Sequence, residues 1–124
     1  MSQNIDQNTK IVNVKVANIR PNYNNLKEWI EDDNNIYIGR KGVVFINSVR
    51  YPEQNSIWCN PFKIDPNNSR DDVINKYREY MTLKIKNENL YDELKKLKGK
   101  NLGCWCKPLK CHGDVLIELI NSLT

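Results

Sequence analysis

The chain has 124 residues, a net charge of +4 and an isoelectric point near 8.9, which is mildly basic. Its length predicts one folded unit, a single α/β domain over residues 10–124 preceded by a flexible N-terminus over residues 1–9. Mean hydropathy is −0.69, and no apolar run approaches the roughly 20 residues that cross a bilayer, which excludes a membrane-spanning protein.

The first ten residues are polar and lack the apolar core of a signal peptide, so a cytoplasmic location is expected. Thiols stay reduced in that compartment. The four cysteines are therefore expected to be metal ligands, reactive groups or packed side chains rather than disulfides.

The first half of the chain predicts short elements. Val12, Val14 and Val16 alternate with polar residues, which predicts a strand over residues 11–16. The helical spacing of apolar residues predicts a short helix over residues 24–31. Two further strands are predicted at residues 36–39 and 43–46. Residues 49–68 are expected to form a long loop, and loops of this length are usually functional or disordered.

The second half predicts mainly helices. Ser69, with Asp72 three residues later, is a typical N-cap and starts a helix. A second apolar stripe over residues 90–97 ends at Gly99, a strand follows over residues 101–106, and residues 115–123 form a last amphipathic helix. This order predicts an α/β or α+β fold, with a small mixed sheet covered by helices and a Rossmann-like ligand site at the last strand–loop–helix unit.

The loop at residues 104–114 contains three of the four cysteines and the only histidine. One hypothesis is a zinc site made by Cys104, Cys106, Cys111 and His112, which is an established ligand set. The C-x-C spacing is tighter than usual and adjacent Cys-His ligands are strained, so this hypothesis is not favoured.

A second hypothesis is an anion or nucleotide pocket, because free N–H groups and partial positive charge gather at a helix start. Lys107, Lys110 and His112 would add charge or donors, and Gly113 would let the backbone approach a ligand. A third hypothesis is nucleophilic catalysis by Cys111 or Cys106, although Cys111 and His112 point in different directions on a helix. The structural alternatives are buried inert thiols, Gly113 as a packing residue and Asp114 as a favourable first-turn residue.

With these residues in view, the chain resembles the family known as domain of unknown function 4326, whose members occur in phages, large viruses and cellular genomes. The matching segments lie at residues 37–40, 58–62, 97–100, 102–106 and 111–114, together with the helix through Tyr77 and Tyr80. Cys59 departs from the family pattern, which more often has a small residue there, so Cys59 is not expected to be a ligand or nucleophile.

The resemblance implies that three separated segments share one site: Gly39-Arg40, Asn60-Pro61-Phe62 and residues 106–114. Arg40 can fork onto a phosphate, and Asn60 can pair with a base edge. Their structural alternatives are a surface ion pair and an Asx turn. Trp58, Phe62 or Trp105 can stack on a ring, the alternative being core packing.

We therefore expect a domain that binds a nucleotide-like, phosphate-bearing small molecule, such as a nucleotide signal. If it is an enzyme, the expected class is a hydrolase or transferase that acts on a nucleotide-derived substrate through Cys106, Cys111, His112 or Asp114. No cofactor is favoured. The alternatives are a zinc-stabilised interaction module and single-stranded nucleic-acid binding through lysines and exposed aromatics.

Overall fold

A computed structural model describes residues 8–123. Most of the predicted flexible N-terminus therefore lies outside the described residues. Thr9 is described, and its hydroxyl accepts a hydrogen bond from the Gly99 amide at 3.0 Å. The elements in chain order are β1 (Lys10–Asn13), α1 (Val16–Ile19), α2 (Leu26–Glu31), β2 (Asn35–Tyr37), β3 (Val44–Ile46), β4 (Val49–Tyr51), α3 (Arg70–Glu88), α4 (Tyr91–Lys95), β5 (Asn101–Cys104) and α5 (His112–Asn121).

The main sheet has three parallel strands in the order β1-β5-β2. The strand nearest the C-terminus lies in the centre, so Leu102 pairs with Ile11 on one side and with Ile36 on the other. Strands β3 and β4 form a separate antiparallel hairpin. The α/β class is confirmed, but the prediction of one mixed sheet is wrong, because the antiparallel pair does not join the parallel strands.

Strand β1 is shorter than the alternation of valines predicted. The Asn13 side chain accepts a hydrogen bond from the Lys15 amide at 3.0 Å and donates one to the Lys107 carbonyl at 2.7 Å. This local turn ends the strand, since an Asn side chain competes with ladder pairing. Val16 then begins α1, a helix that the sequence reading did not predict.

Only the first strand of the β3–β4 hairpin was predicted, and the second strand, β4, was missed. Asn47 and Ser48 form the hairpin turn with φ values of 53° and 67°. Two consecutive positive φ values are typical of the two-residue turns that match strand twist. The second strand carried little sequence signal because its side chains are not buried, and Val49 is 62% exposed.

Helices cover both faces of the parallel sheet. On one face α3, α4 and α5 pack against Leu102 and Cys104 of β5. On the other face α1 and α2 form a second core around Trp29. A Cβ on Gly103 would meet the Trp29 ring at 2.5 Å, so the absence of a side chain in β5 allows this ring to lie on the sheet.

The two helices that matter for the site begin with capping boxes. Ser69 caps α3 and exchanges hydrogen bonds with Asp72, as predicted. Cys111 caps α5, with Asp114 as the reciprocal partner. Within residues 8–123, none of the helices is both long and apolar enough to span a bilayer.

Candidate functional site

A cavity of about 460 Å³ opens where β2 and β5 end and where α3 and α5 begin. Ligands of open α/β sheets bind at this carboxyl edge of the strands. The cavity is lined by Gly39, Arg40, Val43, Asn60, Phe62, Lys63, Ile64, Arg70, Val73, Ile74, Cys104, Trp105, Cys106, Lys110, Cys111 and His112.

The structure brings together the three separated segments that the sequence reading placed at one site. Gly39 and Arg40 come from the end of β2, Asn60 and Phe62 come from the long loop, and residues 104–112 come from the last strand–loop–helix unit. Four of the predicted site residues do not line the cavity: Trp58, Lys107, Gly113 and Asp114.

Arg40 lines the cavity, but its fork is turned toward the protein. Nε and Nη2 both donate to the Asn60 carbonyl, at 3.0 and 2.7 Å, and Nη2 also donates to the Phe62 carbonyl at 3.1 Å. With Nε and Nη2 engaged within the protein, this geometry gives no support to the expected forked contact of Arg40 with a phosphate. The alternative of a surface ion pair does not describe Arg40 either. Its bonds to the Asn60 and Phe62 carbonyls connect the long loop to the end of β2.

Asn60 has the structural role that the sequence left open as an alternative. Its Oδ1 accepts from the Phe62 amide at 2.9 Å, which makes an Asx turn around Pro61, and its Nδ2 donates to the Val73 carbonyl at 3.4 Å. Both ends of the amide are bonded within the protein, so Asn60 is not available for the expected bidentate pairing with a base edge.

Trp58 and Lys107 lie away from the cavity. Trp58 is 4% exposed in the core, and its carbonyl accepts from the buried Tyr77 hydroxyl at 2.7 Å. Lys107 has an exposed side chain, and its carbonyl accepts from Asn13. Core packing, the stated alternative, thus describes Trp58, whereas Phe62 and Trp105 do line the cavity.

Gly113 and Asp114 serve the start of α5. A Cβ on Gly113 would meet Ile11 at 2.5 Å and Ile38 at 3.0 Å, so the glycine allows the helix to lie close to the sheet. Its amide donates to Cys111 Sγ at 3.3 Å, and Asp114 accepts from the Cys111 amide at 3.1 Å. These helix-start groups are engaged by the cap, so the expected anion contact at Gly113 and chemical role of Asp114 do not fit this geometry.

Four of the side chains that line the cavity are positively charged. Among the described residues, Arg40, Lys63, Arg70 and Lys110 line the cavity, and no carboxylate does. The sequence reading missed Lys63 and Arg70. The sequence did contain a signal for Arg70. A cation in the first turn of a helix interacts unfavourably with the helix dipole, so an arginine at that position indicates a role other than helix stability. Arg70 donates to the Lys110 carbonyl at 3.0 Å, which joins the starts of α3 and α5 across the cavity.

An apolar wall completes the cavity, made by Val43, Ile64, Val73 and Ile74 with the rings of Phe62 and Trp105. Phe62 packs edge-on against Tyr80, with ring centroids 5.8 Å apart. The Trp105 indole donates to the Tyr37 hydroxyl at 3.0 Å, and that hydroxyl donates to the Arg40 carbonyl at 2.8 Å. This chain of bonds fixes the orientation of Trp105, and Gly39 has no side chain that would collide with the Tyr37 ring.

His112 is 9% exposed, and its Nε2 lies 2.7 Å from the Ile38 carbonyl. A carbonyl only accepts, so Nε2 carries the hydrogen. Burial lowers the pKa of His112, and the neutral ring therefore has an acceptor at Nδ1. His112 lines the cavity, and Nδ1 is the nitrogen of its neutral ring that can accept a hydrogen bond.

Three thiols lie close together at the cavity wall. Cys104 Sγ and Cys111 Sγ are 3.2 Å apart, and Cys106 hydrogen-bonds Cys104. The hydrogen bond with Cys104 lowers the pKa of Cys111, assisted by the Gly113 amide and opposed by burial. The hydrogen bond with Cys104 and burial raise the pKa of Cys106 well above its usual range. Cys111 is thus the most readily ionised of the three, and Cys106 is poorly suited as the nucleophile.

The arrangement provides neither a Cys-His dyad nor an evident metal centre. His112 is bonded to Ile38 rather than to Cys111, in keeping with their different directions on the helix. Among residues 8–123, no group of three or more His, Cys, Asp or Glu side chains is placed to hold a metal ion.

Comparison with known proteins decides the family. The model for Domain of unknown function (DUF4326) matches residues 22–122. The chain belongs to this family. The DUF4326 match includes every residue that lines the cavity, so the site belongs to the family domain rather than to the unmatched N-terminal residues.

Two viral relatives are similar to this DUF4326 chain. Uncharacterized protein R718 of Acanthamoeba polyphaga mimivirus is 35% identical over 101 residues, which is 75% of this chain and 72% of the relative. An uncharacterized 12.4 kDa protein from the nrdA-td intergenic region of Enterobacteria phage T4 is 36% identical over 56 residues, 44% of this chain and 52% of the relative. No solved structure matches the chain. The expected phage and large-virus relatives are confirmed.

Proposed function

We propose that this domain binds a nucleotide-like small molecule, with phosphate groups and a ring, in the 460 Å³ cavity. The observation that supports this most directly is the lining, in which the described part of the chain places four cationic side chains and no carboxylate. Like charges that share a partly enclosed space repel one another, and an anion would relieve that repulsion. The volume falls within the roughly 300–1,000 Å³ of small-molecule sites.

The phosphate end of the ligand would lie against Arg70, Lys63 and Lys110. Arg70 is half-buried, and its bond to the Lys110 carbonyl holds the guanidinium at the cavity. Lys110 is only loosely engaged by Asp71, at 3.9 Å between exposed groups. Arginine is suited to phosphate because its planar donors match two oxygens at once.

The ring end would lie against the apolar wall and the Trp105 or Phe62 ring, since stacking on an aromatic face is worth about 1–3 kcal/mol. Because the Asn60 amide is bonded within the protein, the ring would be held by stacking and shape rather than by base-edge hydrogen bonds. We therefore expect weak discrimination between bases.

In position this would be a Rossmann-like site, at the turn from β5 to α5. It would differ from a Rossmann site in the groups that bind the anion. Cys111 and Asp114 cap α5, so cationic side chains rather than helix amides would bind the phosphate.

The same cavity offers groups for hydrolysis or group transfer. His112 lines the cavity, and Nδ1 of its neutral ring would be the base that activates water or an acceptor hydroxyl. Incubation with nucleotides followed by chromatography of the products tests turnover. Product formed by the wild type and lost in His112→Gln supports an enzyme, whereas saturable binding with no product supports a nucleotide-sequestering protein.

Thermal unfolding in the presence of a panel of nucleotides tests binding itself. At about 100 times its Kd, a ligand adds about 2.7 kcal/mol of stability, which raises Tm by roughly 10 °C in a domain of this size. Arg70→Gln should abolish most of the shift. Arg20→Gln is the matched control, because Arg20 is exposed and does not line this cavity.

The proposal fails if no nucleotide raises Tm, or if Arg70→Gln and Arg20→Gln reduce the shift equally. A larger shift with single-stranded oligonucleotides than with any mononucleotide, and one that falls steeply with salt, would replace it with nucleic-acid binding.

A further inference from the structure

The three thiols at the cavity wall carry an inference that does not depend on which ligand binds there. The Sγ atoms of Cys104 and Cys111 are 3.2 Å apart, with Cys104 at the end of β5 and Cys111 at the N-cap of α5. A disulfide bond is about 2.05 Å long, so the two atoms need to approach by only about 1.1 Å.

We propose that Cys104 and Cys111 are a specific oxidation site, which hydroperoxides convert to an intramolecular disulfide. Both thiols line the cavity, so a small oxidant reaches them through it although both residues are buried. The proposal concerns this pair alone: Cys59 lies in the long loop, and the pKa of Cys106 is raised by its hydrogen bond with Cys104 and by burial, which disfavours its thiolate.

Cys111 is the thiol that reacts first. Its Sγ lies within hydrogen-bond distance of Cys104 Sγ, accepts a bond from the Gly113 amide and lies at the positive end of α5. These contacts favour the thiolate, which is the form that attacks an oxidant. Cys104, held next to it at the end of the central strand, is placed to resolve the product.

The chemistry balances with one hydroperoxide. The Cys111 thiolate attacks one peroxide oxygen and breaks the O–O bond, giving a sulfenic acid, while the leaving oxygen takes a proton and departs as water or alcohol. Cys104 sulfur then attacks Cys111 sulfur. The S–S bond forms, the S–O bond breaks, and the hydroxide leaves as water with the Cys104 proton. Two thiols lose two electrons in total, and the peroxide gains them.

Tryptic mapping under non-reducing conditions locates the bond. Trypsin cuts after Lys100 and Lys110 but not before Pro108, so residues 101–110 contain Cys104 and Cys106, and residues 111–124 contain Cys111. Folded protein is treated with hydrogen peroxide, remaining thiols are alkylated, and the peptides are identified by mass. The expected product links the two peptides and leaves Cys59 and Cys106 alkylated.

Titration of free thiols shows how many thiols the oxidation consumes per chain. The four free thiols should fall to two after oxidation and return to four with dithiothreitol. Cys106→Ser and Cys59→Ser should form the same link, and Cys111→Ser should form none. The wild-type map is decisive even if a variant fails to fold.

Several results would overturn the proposal. A bond within residues 101–110 would assign the chemistry to Cys104 and Cys106. A link between two chains, seen as a dimer on a non-reducing gel, would make it intermolecular. Irreversible sulfinic acid at Cys111, or four unreacted thiols under conditions that oxidise the urea-unfolded chain, would equally refute it.

Discussion

The Arg40 guanidinium donates twice to the carbonyl oxygen of Asn60, from Nε at 3.0 Å and from Nη2 at 2.7 Å. A third bond joins Nη2 to the Phe62 carbonyl at 3.1 Å. Hydrogen bonds from a charged donor are stronger than those between neutral groups. This arginine therefore connects the end of β2 to the loop that forms one wall of the cavity.

Replacing Arg40 by lysine tests that connection. Lysine keeps the charge but cannot place two fixed donors on one carbonyl, so Arg40→Lys should lower the free energy of unfolding by about 2 kcal/mol. Urea denaturation measures the change. Arg20→Lys, at an exposed position, should stay within about 0.5 kcal/mol of the wild type. Equal stability of Arg40→Lys and the wild type would contradict the role assigned here.

Gly103 has a packing role that a double-mutant cycle can isolate. A Cβ there would lie 2.5 Å from the rigid Trp29 ring and 2.7 Å from Val14, so Gly103→Ala should cost about 2 kcal/mol or more. Combining it with Trp29→Leu removes the ring that collides. Denaturant unfolding of all four proteins should show the double variant at least about 1 kcal/mol more stable than additivity predicts. Strict additivity would show that the ring is not the obstacle.

His112 predicts a specific pH dependence of stability. Burial lowers its pKa in the folded state below the usual value near 6.5. Above that pH both states hold a neutral ring, and the histidine contributes no slope. As the pH falls below about 6.5 the unfolded chain binds a proton that the folded chain does not, so stability falls, by at most about 1.4 kcal/mol per pH unit.

His112→Gln isolates this effect, because its amide can still donate to the Ile38 carbonyl but does not titrate. Urea unfolding of both proteins at pH values from about 7.5 to 5.5 gives the comparison. The difference in stability should change in favour of the variant as the pH falls. Parallel curves would mean that the folded and unfolded states bind the His112 proton equally.

The capping box of α3 predicts a smaller effect. Ser69 accepts from the Asp72 amide at 3.1 Å, and Asp72 accepts from the Ser69 amide at 2.9 Å. Ser69→Ala removes the first bond and should cost about 1 kcal/mol in thermal or urea unfolding. Ser122→Ala, at the last turn of α5, is the control and should change stability by less than about 0.5 kcal/mol. A cost that matches the control would argue against the cap.

Local chemistry made part of the fold predictable. The Ser69 cap and the end of α4 shortly before Gly99 each depend on residues within a few positions of one another. Such signals are present in the sequence itself. The boundary of β1 was missed because Asn13 forms a turn whose side-chain bond to Lys107 reaches across the molecule.

The candidate site was predictable in its segments but not in the roles of its residues. Arg40, Asn60 and His112 were placed at one site from the sequence, and all three line the cavity. The Asx turn of Asn60 is local and was one of the alternatives, whereas Arg40 and His112 bond to carbonyls 20 and 74 residues away in sequence, which local patterns do not reveal. Arg70 was missed for the same reason, since only the packing of α3 beside α5 places it at the cavity.

The sequence by itself determined four of the five described helices, most strands, the α/β class and the family, because these follow from periodicity, caps and motif order. The tertiary structure decided which groups are free to act. Placing β5 beside β2 brings His112 next to Ile38, and the contact of the long loop with the end of β2 commits Arg40 to bonds with the Asn60 and Phe62 carbonyls. These outcomes depend on contacts between distant positions, which local patterns do not encode.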